Sequence, residues 1–158
     1  MKNLDVIALG ELLIDFTENG FSANGNPLLE ANPGGAPCNV LAMLQNLGKK
    51  TAFIGKVGKD AFGDYLKDTV CQAGIDVTNL IQDATVPTTL AFVHTAADGD
   101  RSFSFYRDPG ADMMLSESEI DYSKIADAKI FHFGTLSMTH DGVRAATIKA
   151  VDYAKEHG

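Results

Sequence analysis

Three groups of residues in this 158-residue chain combine side-chain types and spacings that could do chemistry. The first is the run Pro33-Gly34-Gly35-Ala36-Pro37-Cys38-Asn39. Two glycines let a backbone come close to a ligand or take positive φ at little steric cost. Pro37 pre-sets φ for a first helical turn. Asn39 places an amide in that turn, beside free N–H groups at the positive end of a helix dipole. Such a loop can hold a polar, oxygen-rich ligand, and is equally compatible with an ordinary strand-to-helix turn. The second is Asp15, which follows the apolar Leu12–Ile14 and needs a partner if buried. A carboxylate there is a good acceptor for two neighbouring hydroxyls. The third is the stretch Arg101–Arg107, where Phe103, Tyr106 and Arg107 supply aromatic and cationic groups suited to closing over a polyol. Taken singly, Arg107 also fits a solvated surface charge, and Phe103 fits packing.

Other chemistries find less support. Gly55-Lys56-Val57-Gly58-Lys59-Asp60 does not match the G-x-x-x-x-G-K-[ST] phosphate loop and reads as a strand end followed by a helix cap. No G-x-G-x-x-G follows a strand, so a dinucleotide site has no basis. His94, His132, His140 and His157 lack metal-ligand spacing, and His132, in an apolar strand, reads as a satisfied core residue. Cys38 and Cys71 are too few for a disulfide framework or a metal site and read as buried or part-buried thiols. A net charge of -8 argues against nucleic acid, which calls for a basic footprint. The apolar run in Met1–Leu13 is broken by Gly10 and Glu11 and is too short for a signal peptide or a membrane span. A cytoplasmic location is expected.

The elements that must position these groups follow from periodicity. With 45% hydrophobic and 22% charged residues, the chain is one globular domain's worth. Leu4–Leu9 is a buried-strand candidate, Glu11–Glu18 a second extended segment, Asn19–Pro27 a turn or loop, and Leu28–Ala31 leads back to the glycine run. Val40, Met43, Leu44 and Leu47 recur as a helical stripe ending at Gly48. Thr51–Val57 is a strand. Asp60 caps a helix whose face is Phe62, Tyr65, Leu66, Thr69, Val70 and Ala73, closed by Gly74. This alternation predicts a parallel α/β sheet. Thr88–Thr95 and Arg101–Arg107, joined by Asp98-Gly99-Asp100, predict a hairpin that interrupts the series. With Glu11–Glu18 and Leu28–Ala31 it would form a small separate sheet covering the site as a lid. Ser116 and Ser118 mark a short helix start, Lys129–Phe133 another buried strand, and Asp141 the cap of a last helix with the stripe Val143, Thr147, Ala150, Val151 and Ala154.

Gly10-Glu11-Leu12-Leu13-Ile14-Asp15-Phe16, the loop Gly34–Asn39, Gly48 and Gly58 at their spacing, and Phe103-Ser104-Phe105-Tyr106-Arg107 occur together and in order. In these motifs the chain resembles the ribokinase-like (PfkB) carbohydrate kinases, over essentially its whole length, and is most similar to their fructokinase branch. The resemblance implies an ATP-dependent sugar kinase using Mg²⁺, with a Rossmann-like α/β/α core, incomplete here, and a small β-sheet lid. It implies lid segments at about 11–18, 28–33 and 88–107, and a core at about 4–10, 35–87 and 108–158. It implies that Asp15, Gly34, Gly35 and Asn39 hold the sugar while Phe103, Tyr106 and Arg107 shape its pocket, and it allows a homodimer formed through the lid. Ala36-Pro37 stands where ribokinases proper carry a lysine in the loop, which favours the fructokinase branch. Leu41 departs from the family's usual small residue.

Members of the family run to about twice this length. Their second half carries a Gly-Ala-Gly-Asp-type motif with the general base and an anion hole, and no such motif occurs here. The chain is therefore expected to be the N-terminal half of a fructokinase-like enzyme, inactive alone. Alternatives are a kinase for 2-keto-3-deoxygluconate, ribose or a nucleoside, or a non-catalytic half-domain that binds sugar or self-associates. Arg107 is compatible with an acidic sugar, because arginine pairs a carboxylate bidentately.

Overall fold

A computed structural model describes residues 2–96 and 98–158. In chain order the elements are β1 (Leu4–Leu9), β2 (Leu13–Phe21), β3 (Pro27–Gly34), α1 (Ala36–Asn46), β4 (Thr51–Gly58), α2 (Ala61–Gln72), β5 (Asp76–Asp83), β6 (Leu90–Thr95), β7 (Arg101–Tyr106), α3 (Tyr122–Ala126), β8 (Ala128–Phe133) and α4 (Asp141–Glu156). Short 3₁₀ turns span Ala111–Met114, Glu117–Glu119 and Thr135–Met138.

The strands divide into two sheets. One has the order β5-β4-β1-β8 and is parallel throughout. The other has the order β3-β2-β6-β7, antiparallel except for the β2–β6 pair. Alternate residues of β1 serve opposite faces, as the period-2 pleat requires. Val6 and Ala8 join a core with Cys38 and Leu41 of α1 and Leu66 and Val70 of α2. Ile7 and Leu9 join a second core with Ile125 of α3 and Val143, Ala146 and Ala150 of α4. Helices therefore cover both faces of the parallel sheet, and β4 is buried along its entire length, the pattern expected of such a sheet. The hairpin expected from Thr88–Thr95 and Arg101–Arg107 is present as β6 and β7, paired from Leu90↔Tyr106 to Thr95↔Arg101, and it joins β2 and β3 in the second sheet.

Helix ends follow local chemistry. Asp60 caps α2, its side chain accepting from the Gly63 N–H at 2.8 Å. Past α1, Gly48 takes φ 73, and the Gly48 and Lys49 N–H groups bond back to the Gln45 and Leu44 carbonyls, a Schellman-type stop.

Several expectations need correction. The stripe Val40–Leu47 is not the buried face of α1. Val40, Met43 (60% exposed) and Leu47 (65%) face outward, and Pro37, Cys38 and Leu41 are buried instead. Leu41, the residue at odds with the family pattern, is thus a core residue. The turn within Asn19–Pro27 is shorter than expected, confined to residues 22–26, because β2 runs on to Phe21 and β3 starts at Pro27. The strand β5 was not evident in the sequence, since its Asp-Val-Thr-Asn-Leu-Ile-Gln-Asp is half polar. Its buried Asn79 has a tertiary role: the amide donates to the Glu119 carbonyl at 2.9 Å and accepts from the Asp121 N–H at 2.7 Å. The strand at Lys129–Phe133 is β8, an edge strand with Ile130 58% exposed rather than a buried one. The N-cap of α4 is His140, without a side-chain cap bond, and Asp141 is the first helical residue, paired with Arg144.

Candidate functional site

The chain leaves β1 toward β4 and β5 and later returns to β8 on the other side of β1. The order reverses between β1 and β8, and open α/β sheets bind ligands outside the carboxyl ends of strands at such a point. Gly10 and Gly134 stand immediately past those two ends. A Cβ on either would come within 2.5 Å and 2.6 Å of the Pro37 ring, so the two glycines let the N-terminus of α1 settle over the crevice.

The diglycine has a separate reason at each position. A Cβ at Gly34 would lie 2.2 Å from Asp15 Oδ2, so only glycine leaves space for that carboxylate. Gly35 takes φ 126, a region that side chains avoid, and its Cα passes over the Glu11 carbonyl, which a Cβ would meet at 2.3 Å. The next residue, Ala36, donates its N–H to Glu11 Oε1 at 2.9 Å. Asn39 is exposed in the first turn of α1, its N–H bonded to the Gly35 carbonyl at 3.0 Å.

Strand register puts the remaining candidates on two different faces of the second sheet. Asp15 stands opposite Asn32 on β3 and Ala91 on β6, and Ala91 stands opposite Phe105. Thr17, Val93 and Phe103 continue the same face. A cleft of 420 Å³ opens there, lined by Asp15, Thr17, Asn32, Val93, Thr95, Arg101 and Phe103. Phe103 and Phe105 stack with centroids 6.0 Å apart. Tyr106 belongs to the other face, where it packs edge-on against Phe92 at 5.3 Å, and Phe92 stacks on Phe16. The structure therefore brings Asp15, Gly34 and Phe103 together and leaves Tyr106 behind them.

Arg107 is also placed differently from the sequence expectation. Its Nε and Nη2 donate to Asp112 Oδ2 at 2.9 and 2.7 Å, Nη1 to Thr139 Oγ1 at 3.1 Å and Nη2 to the Leu136 carbonyl at 3.3 Å. The cation lining the Asp15 cleft is Arg101. Arg107 lines a smaller 240 Å³ hollow with Phe105, Asp108 and Leu136.

Asp15 is half-buried, and among the described residues no protein donor bonds its carboxylate. Burial alone pushes its carboxyl above the ordinary 3.8. Glu11 is buried (5% exposed), its Oε2 lacks a partner, and desolvation pushes its carboxyl above the ordinary 4.5 against the pull of the backbone N–H groups. Glu11 and Asp112 are the site residues that sequence reasoning missed as such. Their signal is a single acid inside an apolar stretch, Leu9-Gly10-Glu11-Leu12 and Ala111-Asp112-Met113, where a carboxylate has to be matched by tertiary donors. Cys38 is buried beneath the loop and its thiol is pushed up to about 12 by desolvation and then by Glu11, so it is an inert packing group.

The residues present do not fit a nucleotide or its metal. Among the described residues, no group of three or more His, Cys, Asp or Glu could hold a metal ion. In Gly55–Asp60, which ends β4 and leads into the cap of α2, the Gly58 N–H is taken by the Thr88 hydroxyl at 3.0 Å.

Known proteins resemble this chain in sequence and in fold. The chain is 43% identical to fructokinase-2 of Solanum lycopersicum, over 97% of its own length and 47% of the relative's. It is 42% identical to a fructokinase of Solanum tuberosum, over 97% of this chain and 49% of that protein. The fold superimposes on the crystal structure of fructokinase from Xylella fastidiosa with a TM-score of 0.90 at 35% identity, covering 97% of this chain and 48% of that one. An ATP-bound structure from the same organism matches with a TM-score of 0.90 at 34% identity, covering 98% and 50%. The chain spans about half the length of the curated relatives it matches. Its residues 3–158 match the model of the pfkB family carbohydrate kinases, and the chain belongs to that family.

Proposed function

We propose that the complete protein transfers the γ-phosphoryl group of ATP to a hydroxyl of fructose, and that this chain supplies the half that holds the acceptor. The observation that carries the proposal is Asp15. It is a half-buried carboxylate with no protein donor, pressed against Gly34 at the head of a 420 Å³ cleft. A carboxylate in that state gains most from two adjacent sugar hydroxyls, each a charge-assisted bond. Gly34 leaves room for the Asp15 carboxylate and Gly35 lets the chain turn over Glu11 into the helix, which sets both beside the sugar; Asn39 offers an amide at the helix start, and Phe103 with Arg101 closes the open side. The second sheet, with segments at about 11–18, 28–33 and 88–107, acts as the lid. The fructokinase names of the relatives support the substrate class.

The ATP-bound fructokinase neighbour supports ATP as donor. The groups for ATP, Mg²⁺, the general base and the anion hole are assigned to the part of the relatives' length that this chain does not span. Phosphoryl transfer is mainly positioning and charge stabilisation, so an acceptor half alone orients a hydroxyl without activating it. The chain alone is accordingly expected to be inactive. Arg107 is committed to Asp112, which favours a neutral sugar over an acidic one such as 2-keto-3-deoxygluconate. The exposed strand β7, with Phe103 and Phe105 facing outward, supports pairing of lids in a homodimer. Among the described residues no helix is long and apolar enough to cross a membrane, and we place the enzyme in the cytoplasm.

A coupled assay for ADP release tests the reading. The complete protein is expected to turn over fructose with ATP, Asp15→Asn is expected to lose roughly 10²-fold in kcat/KM, and the 158-residue chain is expected to show no turnover. Unchanged fructose turnover by Asp15→Asn would overturn the site; preference for an acidic sugar would overturn the substrate.

A further inference from the structure

The chain passes between the two sheets four times, at 10–12, 35, 84–89 and 107–110. A carboxylate fastens each passage. Glu11 in the first accepts from Ala36 N–H just beyond the second. Asp60 accepts from the N–H and hydroxyl of Thr88 in the third, each at 2.8 Å. Asp112 joins the third passage to the fourth, taking the Thr89 hydroxyl on Oδ1 and the Arg107 guanidinium on Oδ2. The Asp112 side chain is 2% exposed and that of Arg107 11%. The other guanidinium contacts run to Leu136 and Thr139, in the segment after β8, so one arginine joins three separate stretches. Gly110 makes the approach possible, because a Cβ there would lie 1.9 Å from Thr89 Oγ1 and 2.9 Å from Arg107 Cγ.

We propose that Arg107 and Asp112 form a latch that fixes the β3-β2-β6-β7 sheet over the parallel sheet, so that both are positioning residues for the Asp15 cleft and Arg107 is not a sugar ligand. A planar guanidinium with four protein bonds has little left to offer a ligand, and its fork geometry resists hinge motion at 107–110. Both partners are nearly water-free, so removing one leaves the other charge unpaired and loosens the two passages together. The kinetic part of the test rests on the sugar-kinase reading; the exchange part does not.

Amide hydrogen–deuterium exchange of the ligand-free chain is measured for Arg107→Lys, Asp112→Asn and the double variant. Each is expected to speed exchange in Leu90–Thr95 and Arg101–Tyr106 at least tenfold while Thr51–Gly58 stays protected, and the double variant is expected to match either single one. Thr139→Ala, which removes one outer bond only, is expected to give a smaller rise in the same segments and keeps the test decisive if a stronger variant fails to fold. In the complete protein, Arg107→Lys and Asp112→Asn are expected to raise KM for fructose by the same factor and to act non-additively. Unchanged exchange in both segments, additive effects, or a KM rise confined to the Arg107 variant would overturn the latch. Absence of fructose turnover in the unmodified complete protein would sink the kinase reading alone, leaving the exchange result to decide the latch.

Discussion

At the scale of residues, Asp15 and Glu11 are two acids with different surroundings, the first half-buried and the second buried. Asp15 has no protein donor among the described residues, and its burial raises its pKa above the ordinary 3.8. If sugar hydroxyls donate to its ionised form, as proposed above, sugar affinity falls as pH drops through that raised value. KM for fructose is expected to climb on the acid side in the native protein and to lose that limb in Asp15→Asn, as read from a pH series of initial rates. Glu11 also titrates above its ordinary 4.5. Between that value and the raised one, the folded chain keeps a proton that the unfolded chain has released. Folding stability therefore falls as pH rises through this window and stays lower above it. Urea titrations are expected to show Glu11→Gln gaining on the native chain between acid and neutral pH. Gly34→Ala puts a methyl 2.2 Å from Asp15 Oδ2, which displaces the carboxylate. About a 10²-fold loss in kcat/KM is expected, with a far-ultraviolet circular dichroism spectrum unchanged.

At the scale of elements, polar residues inside strands serve to hold a loop. Lys56 in β4 is buried, and its ammonium pairs with Asp83 at 3.1 Å and Glu119 at 2.8 Å and donates to the Met114 carbonyl at 3.3 Å. With Asn79 it ties the 3₁₀ segment at 114–121 to β4 and β5. Lys56→Met leaves two carboxylates without their cation, and about 3 kcal/mol of stability is expected to go, measured by thermal or urea unfolding. Of the two lysines in Gly55–Asp60, Lys56 points into this structural ion pair and Lys59 is exposed. The cap Asp60, the stop at Gly48 and the hairpin turn at Gly99 were legible beforehand, because each depends on a few consecutive residues. The strand β5 was not, because its polar residues make sense only against Glu119, Asp121 and Lys56, far along the chain.

At the scale of the whole molecule, one region stands out as uncovered. The Gln45 side of α1 meets the end of α2 through a bond from its amide to the Gly74 carbonyl. Val40, Met43 and Leu47 lie on the side away from α2, toward β8, where Ile130 shares the α1 face of the sheet. Exposed apolar side chains beside a parallel strand that is an edge among the described residues invite association. The chain by itself is expected to run on size-exclusion chromatography with light scattering as a species heavier than one copy, and Ile130→Lys to shift it toward the monomer. A monodisperse native monomer would refute this.

What the sequence determined by itself was the chemistry available at each point of the chain: a diglycine with proline at a helix start, an acid after an apolar run, an aromatic ribbon, and an α/β alternation carrying helix caps. These depend on backbone freedom, pleat and turn periodicity, which act over neighbouring residues. Only the tertiary structure decided which side of α1 is buried, that Tyr106 faces away from Asp15, that Arg101 rather than Arg107 lines the cleft, and that Arg107 belongs to Asp112. The first depends on packing of α1 against the parallel sheet, and the others on strand register in the second sheet or on buried charges finding partners across the sheets. Such contacts are chosen by packing and desolvation among residues distant in the chain, and local pattern carries no record of them.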